Sequence, residues 1–252
     1  VRVAALYDIH GNAPALDAVL DDVRRSRVDR IVVGGDVLPG PLPREALDAL
    51  ARAGVPTDYI MGNGDREVLA HARGTGSLLP DSFRHLIAWT AKQLRPADIE
   101  RISAWPATLR LTIDGLGDVL FCHATPRNDV EIFTRLTADE VVIPMLADAR
   151  APVVVCGHTH MQFDRRFGST RVANAGSVGM PFGEPGAYWL RVGPDIELRR
   201  TIYDFDAAAR AIEASDYPQA KEFAAMNVLS PTPEAEMLER MTAVSSVAAP
   251  RS

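Results

Sequence analysis

Short apolar runs, polar turns and helix-period segments alternate three times in the first 65 residues. Val3 to Tyr7 is an unbroken apolar run and reads as a buried strand. Asp8-Ile9-His10-Gly11-Asn12 follows as a polar turn. Asn12 is placed to cap a helix that carries Pro14 in its first turn, and Leu16, Val19, Leu20 and Val23 recur at helical spacing. Ile31-Val32-Val33 is a second strand, ending at Gly34-Gly35-Asp36. After the turn Pro39-Gly40-Pro41, residues 44–53 form a helix with Ala46, Leu47 and Leu50 on one face. A third strand over 58–61 ends at Gly62-Asn63-Gly64-Asp65. Strand, polar loop and helix in this order predict a βαβ layer.

From Glu67 to Trp105 the pattern is helical, punctuated by Pro80 and Pro96. Helices over 81–94 and 97–104 have no strand between them, so 77–105 reads as a small helical insertion able to shape access to a site. Phe83 and Trp89 offer stacking surface there, with core packing the expectation for both; His71 and His85 are expected in structural or lid roles. Strands over 107–113 and 117–122 form a hairpin around Asp114-Gly115. A helix over 138–148 follows, with Thr137 as its N-cap. Strands over 152–156, 162–167, 170–174, 187–193 and 195–203 predict a second sheet packed on the first. Residues 204–241 are helical with breaks at Pro218 and Pro231. The tail over 242–252 is small and polar and is expected to be disordered. No repeat or linker divides the chain, which predicts one α/β domain over 1–241.

Composition narrows the function classes. Hydrophobic residues at 47% and charged residues at 24% exclude a disordered or fibrous chain. A net charge of −6 argues against an extended nucleic-acid surface. Lys92 and Lys221 are the only lysines, so arginine supplies nearly all the positive charge. Cys122 and Cys156 each end an apolar run, which predicts buried free thiols suited to a reducing compartment. No apolar run approaches the ~18 residues of a membrane span, and no signal-peptide core precedes Asp8. The expectation is a cytoplasmic protein without a membrane partner; its oligomeric state is left open.

Five polar clusters share one feature, a strand ending in metal-ligand residue types. They are Asp8-Ile9-His10, Gly35-Asp36, Gly62-Asn63, Cys122-His123 and Gly157-His158-Thr159-His160. Strand ends at the C-terminal edge of a sheet face one crevice. Residues two apart in an extended segment point the same way, so Asp8 and His10 reach one ion together. Seven ligands, Asp8, His10, Asp36, Asn63, His123, His158 and His160, are too many for one tetrahedral zinc and fit two adjacent cations. A carboxylate such as Asp36 can bridge two cations ~3.5–4 Å apart.

In order and spacing these motifs resemble the calcineurin-like metallophosphoesterase superfamily over residues 1 to about 203. Asn174-Ala175-Gly176-Ser177-Val178-Gly179 is similar to a stretch of its small bacterial and archaeal phosphodiesterase-like branch. The resemblance implies two packed mixed β-sheets flanked by helices. It implies one metal held by Asp8, His10, Asp36 and His160, and another by Asp36, Asn63, His123 and His158. Manganese or iron is the implied pair of metals, with zinc, cobalt or nickel as further candidates. The implied chemistry is hydrolysis of a phosphoester by in-line attack of a metal-bridging hydroxide, with no side chain as direct acid or base. The expected substrate is a small phosphodiester or nucleotide. A phosphomonoesterase, a dinucleoside-polyphosphate hydrolase and a non-catalytic metal-binding scaffold are the alternatives.

Gly64 departs from the pattern, because many members have histidine there. The expectation is that Gly64→His supplies a leaving-group acid and favours alkyl esters. Asp65 is expected to cap the following helix or to act behind the ligands. Arg66, Arg127 and Asn128 follow ligand clusters closely and are the expected phosphate-binding residues, since a guanidinium holds phosphate bidentately.

Overall fold

The computed structural model describes residues 1–75 and 81–247. The first layer runs β1 (Val3–Leu6), α1 (Ala13–Arg25), β2 (Arg30–Val33), α2 (Pro43–Ala51), β3 (Thr57–Tyr59) and α3 (Asn63–Ala72). The helices α4 (Asp81–Gln93) and α5 (Pro96–Ser103) follow without an intervening strand. They fill the stretch expected as an insertion, of which 77–80 lie outside the described residues. Then come β4 (Thr108–Ile113), β5 (Gly117–Cys122), α6 (Asp139–Met145), β6 (Val153–Cys156), β7 (Phe163–Phe167), β8 (Thr170–Asn174), β9 (Ala187–Val192) and β10 (Ile196–Thr201). The last helices are α7 (Phe205–Glu213), α8 (Ala220–Phe223), a π-helical turn over Ala224–Leu229 and α9 (Glu234–Val247). The tail expected to start at 242 therefore begins inside α9; 248–252 lie outside the described residues.

Two mixed five-stranded sheets form, in the orders β10-β9-β1-β2-β3 and β4-β5-β6-β8-β7. Of the five strands assigned to a second sheet, only β6, β7 and β8 join it, with the β4–β5 hairpin completing it. β9 returns to pair antiparallel with β1, Val3 opposite Val192, and β10 follows it. The reason is that β1 is fully buried and β2 satisfies only one of its edges. A buried backbone edge without a partner is costly, and β9 covers it.

Period-two alternation sorts the strands into layers. Val3, Ala5, Tyr7 and Val32 meet Val119, Phe121, Val153 and Val155 between the sheets. Leu6, Ile31 and Val33 face α1 and α2 on one outer side. Leu120, Cys122, Val154 and Cys156 face α6 on the other. Both cysteines are buried free thiols, as expected, and burial pushes both far above the ordinary thiol range.

Asn12 caps α1 as expected, its Oδ1 accepting from Ala15 N at 3.2 Å. Thr137 does not cap α6. Ala138 is the N-cap, and Thr137 Oγ1 instead accepts from Thr134 N and lies 3.0 Å from Ser245 Oγ of α9. The C-terminal helices build a fourth cluster around Ile212, Tyr217, Phe223 and Val228, packed on Leu86 and Trp89 of α4. Among the described residues, no helix is long and apolar enough to cross a membrane.

Candidate metal centre

The C-terminal ends of β1, β2, β3, β5 and β6 lead directly into the five polar clusters. Backbone hydrogen bonds stitch the loops together. Asp8 N donates to Gly35 O at 3.1 Å and His10 N to Asp36 O at 2.9 Å. Gly157 N donates to His123 O at 2.8 Å, joining β5 to β6. The Asn174–Gly179 stretch braces this edge: Asn174 Nδ2 donates to Gly157 O, and Ser177 Oγ to Asp8 O at 2.7 Å. Asp65 is no simple cap. Its fully buried carboxylate accepts from Asp36 N at 2.7 Å, Leu38 N at 2.9 Å and Gly62 N at 3.2 Å, and so holds the β2 loop against the start of α3.

Asp8, His10, Asp36, His158 and His160 all have left-handed backbone, with φ between 46° and 67°. Such conformations cost about 1–3 kcal/mol each in a residue other than glycine and cluster where a site demands them.

The histidine tautomers follow from their partners. A carbonyl oxygen only accepts, so His123 Nδ1 donates to Gly34 O at 3.0 Å, His160 Nδ1 to Met180 O at 2.7 Å and His10 Nδ1 to Pro39 O at 3.3 Å. Each Nε2 is left as a lone pair facing the crevice, the usual bracing of metal-binding imidazoles. Those three Nε2 atoms lie 3.9, 3.4 and 4.0 Å from Asp8 Oδ1, in the order His123, His160, His10. Asp36 Oδ2 is 3.7 Å from His10 Nε2 and 3.6 Å from His123 Nε2, and so stands between the two sides. Asp8 Oδ2 accepts from His158 N, while Asp8 Oδ1, fully buried, has no hydrogen-bond partner.

Electrostatics of the protein atoms alone describe a strained cluster. Burial pushes Asp8 up, but the nearby His160, and then His123 and His10, hold it below the usual carboxylate range. Burial and the Asp8 charge push Asp36 up to about 6 against the pull of His123. Burial and the neighbouring His160 lower His10 to about 3; burial and His123 lower His158 to about 3. His123 and His160 are raised, because Asp36 and Asp8 outweigh their burial.

This donor set fits divalent cations. The groups Asp8/His10/His160 and Asp8/Asp36/His123 each bring one ligand atom per residue within 4.8 Å of the others. A cation among the facing nitrogens would give the orphaned Asp8 Oδ1 a partner. Asn63 and His158 extend the cluster. One terminal atom of the Asn63 amide lies 3.0 Å from both His123 Nε2 and His158 Nδ1. As nitrogen its two hydrogens are shared among these ring nitrogens and Asp129 O; as oxygen it adds a third lone pair to two ring nitrogens, the orientation a cation would select. All seven expected ligands thus meet in one crevice.

The expected phosphate residues are differently engaged. Arg66 is paired with Asp129 through Nε at 2.7 Å and Nη2 at 3.1 Å, and with Glu67 at 2.9 Å. Arg127 is paired with Glu131, and Asn128 Oδ1 accepts from Val130 N and Glu131 N, shaping a turn. All three line a cavity of about 300 Å³ that reaches His123. Each guanidinium would have to share or release a carboxylate to grip a phosphate.

Gly64 is forced by packing. A Cβ there would stand 2.4 Å from Leu38 O and 2.9 Å from Pro39 Cδ. Gly64 N also donates to Asp36 Oδ1 at 2.7 Å. A histidine at this position displaces the loop that carries Asp36, so the expected gain from Gly64→His is withdrawn. His71 and His85 are exposed. Trp89 packs edge-on against Tyr217 as expected of core, but Phe83 is 54% exposed and lines the crevice. Residues without any motif were missed: Phe182 stacks on the His160 ring at 5.7 Å, and Phe223, Met226 and Arg240 of the C-terminal helices wall the crevice. The helical pattern over 204–241 announced the elements that carry Phe223, Met226 and Arg240, but not the face that meets the ligands; Phe182 lies in the loop before β9.

The calcineurin-like phosphoesterase superfamily domain matches residues 1–192. An uncharacterized protein of Methanocaldococcus jannaschii is 26% identical over 245 residues, covering 86% of this chain and 94% of its own. The crystal structure of a metallophosphoesterase from Sphaerobacter thermophilus is similar with a TM-score of 0.69 and 25% identity, covering 90% of this chain and all of that one. A hypothetical protein from Pyrococcus horikoshii OT3 shares the fold with a TM-score of 0.77 at 18% identity, covering 92% of this chain and 99% of that one.

Proposed function

This chain belongs to the calcineurin-like phosphoesterase superfamily, and on that premise we propose that it is a hydrolase of small phosphoesters, phosphodiesters foremost, acting through two divalent metal ions. The observation that carries this is Asp8 Oδ1, buried without a hydrogen-bond partner and faced by the ring nitrogens of His10, His123 and His160. Asp8, His10, Asp36 and His160 would hold one ion; Asp36, Asn63, His123 and His158 would hold the other. The position of Asp36 Oδ2 between His10 and His123 supports its role as the shared ligand. Divalent cations there supply positive charge for phosphoryl oxygens and lower the pKa of water.

The chain's own residues do the positioning. Gly34, Met180 and Pro39 carbonyls fix the imidazole tautomers. Asp65 and the amide of Gly64 fix the Asp36 loop. Two divalent cations, held by ligands that include only two carboxylates, Asp8 and Asp36, would let an anion bind within a protein of net charge −6.

The test is hydrolysis of bis-p-nitrophenyl phosphate and p-nitrophenyl phosphate with manganese or with EDTA. Turnover that needs metal, favours the diester and falls at least about 100-fold in Asp36→Asn and His123→Ala is expected, as for loss of a group that stabilises transition-state charge. Metal bound at the site with no turnover on any phosphoester would instead support a scaffold.

A further inference from the structure

The ligands His10, Asp36 and Asn63 form the floor of a cleft of about 610 Å³, within the ~300–1,000 Å³ range of small-molecule sites. Its walls come from α4 and from the α8–π–α9 segment, whose role no motif announces. Two large apolar side chains in this cleft are left open to solvent, Phe83 at 54% and Met226 at 55%. Phe182, stacked on His160, carries the apolar surface down to the proposed ions. Met226 sits on the π-helical turn Ala224–Leu229. Such turns are rare and recur at functional sites, where they redirect side chains.

Charge along the walls is equally informative. Among the described lining residues, Arg240 is the only arginine or lysine, and it is paired with Glu236 at 2.8 Å; Glu222 adds a negative charge. Among the described lining residues only Arg240 could meet a second phosphoryl group, and it would first have to share or leave Glu236. The floor offers cations for one phosphoryl group, and the walls offer apolar surface for what is attached to it.

We propose that the cleft selects esters of a single phosphoryl group bearing an apolar arm, and that Phe83, Phe182 and Met226 are the residues that hold this arm. This rests on the phosphoesterase reading for the ester. The apolar selectivity has its own readout. Dinucleoside polyphosphates are disfavoured, because their charge would lie along walls whose one described arginine, Arg240, is already paired with Glu236.

Methylphosphonate and hexylphosphonate, which cannot be hydrolysed as esters, separate binding from turnover when titrated calorimetrically into the manganese-loaded protein. Hexylphosphonate is expected to bind at least about 30-fold more tightly, roughly half in free energy of what full burial of five methylenes would give. The double substitution Phe83→Ala and Met226→Ala, at exposed positions, is expected to shrink that ratio to about fivefold. Methyl, hexyl and thymidine-5′ esters of p-nitrophenyl phosphate should rank in kcat/KM with hexyl first, and diadenosine tetraphosphate should be poorer than all three. Equal binding of the two phosphonates overturns the proposal, as does an unchanged ratio in the double variant or a preference for the thymidine or polyphosphate substrate. A hexyl preference in binding without hydrolysis of any ester would support the cleft assignment and overturn the hydrolase reading.

Discussion

Asp36 is the residue on which the centre turns. It is buried beside Asp8, and its carboxyl is pushed up to about 6, against an ordinary value of about 3.9. Between those values the folded chain binds more protons than the unfolded one, so its contribution to stability falls as pH rises from about 4 to about 6 and stays unfavourable above. A divalent cation removes that penalty. Metal-free Asp36→Asn, which keeps an oxygen for Gly64 N, is therefore expected to be more stable than metal-free wild type at pH 7.5, by about 1–3 kcal/mol. The two should converge near pH 4, and saturating manganese should reverse their order. Melting curves at both pH values, with and without metal, check this; a less stable metal-free variant at pH 7.5 would refute it. The left-handed ligands Asp8, His10, His158 and His160 point the same way, since the chain accepts strain to aim donors at one place.

At the scale of elements, the junction between the β2 loop and α3 determines what the centre can be. Asp65 accepts three backbone N–H groups there, and Gly64 leaves no room for a side chain beside Leu38 O. Gly64→His is therefore expected to cost about 1–3 kcal/mol, as overpacking does, and to lower metal content together with activity on alkyl and aryl esters alike. Unchanged melting temperature and metal content in the variant would show that the loop yields. Strand existence was legible, from apolar runs where strands are buried and from alternation between turns elsewhere, and all ten expected strands are present. Sheet membership was not: β9 and β10 look like continuations of the second half, yet they pair beside β1 because its second edge is otherwise unsatisfied. Thr137 looked like a cap by position, but its hydroxyl meets Ser245, a partner more than a hundred residues away.

For the molecule as a whole, two sheets, the loops at their common edge and the C-terminal helices make one site. Metal should therefore act as a staple across that edge, since ligands from five loops meet only in the folded state. Binding to the folded chain alone stabilises by about 2.7 kcal/mol at a metal concentration 100 times Kd, which for a chain of this size is about 5–10 °C. Manganese added to chelator-treated protein is expected to raise Tm by that much, and Asp8→Asn or His160→Ala to abolish the rise. A metal-independent Tm would count against the centre.

The sequence by itself determined the ligand types, their order and their places at strand ends, because strand periodicity and metal-ligand chemistry are both local properties. It also announced helices over 204–241, since helical patterning is local too, though α9 runs on to Val247. Only the tertiary structure decided that Asp36 lies between two groups of imidazoles, that Arg66 and Arg127 are already paired with carboxylates, and that Phe83, Phe182 and Met226 converge on one cleft. Those facts depend on which elements pack against which, and that choice is made by burying apolar faces and satisfying backbone edges across the whole chain, information that no single window of sequence contains.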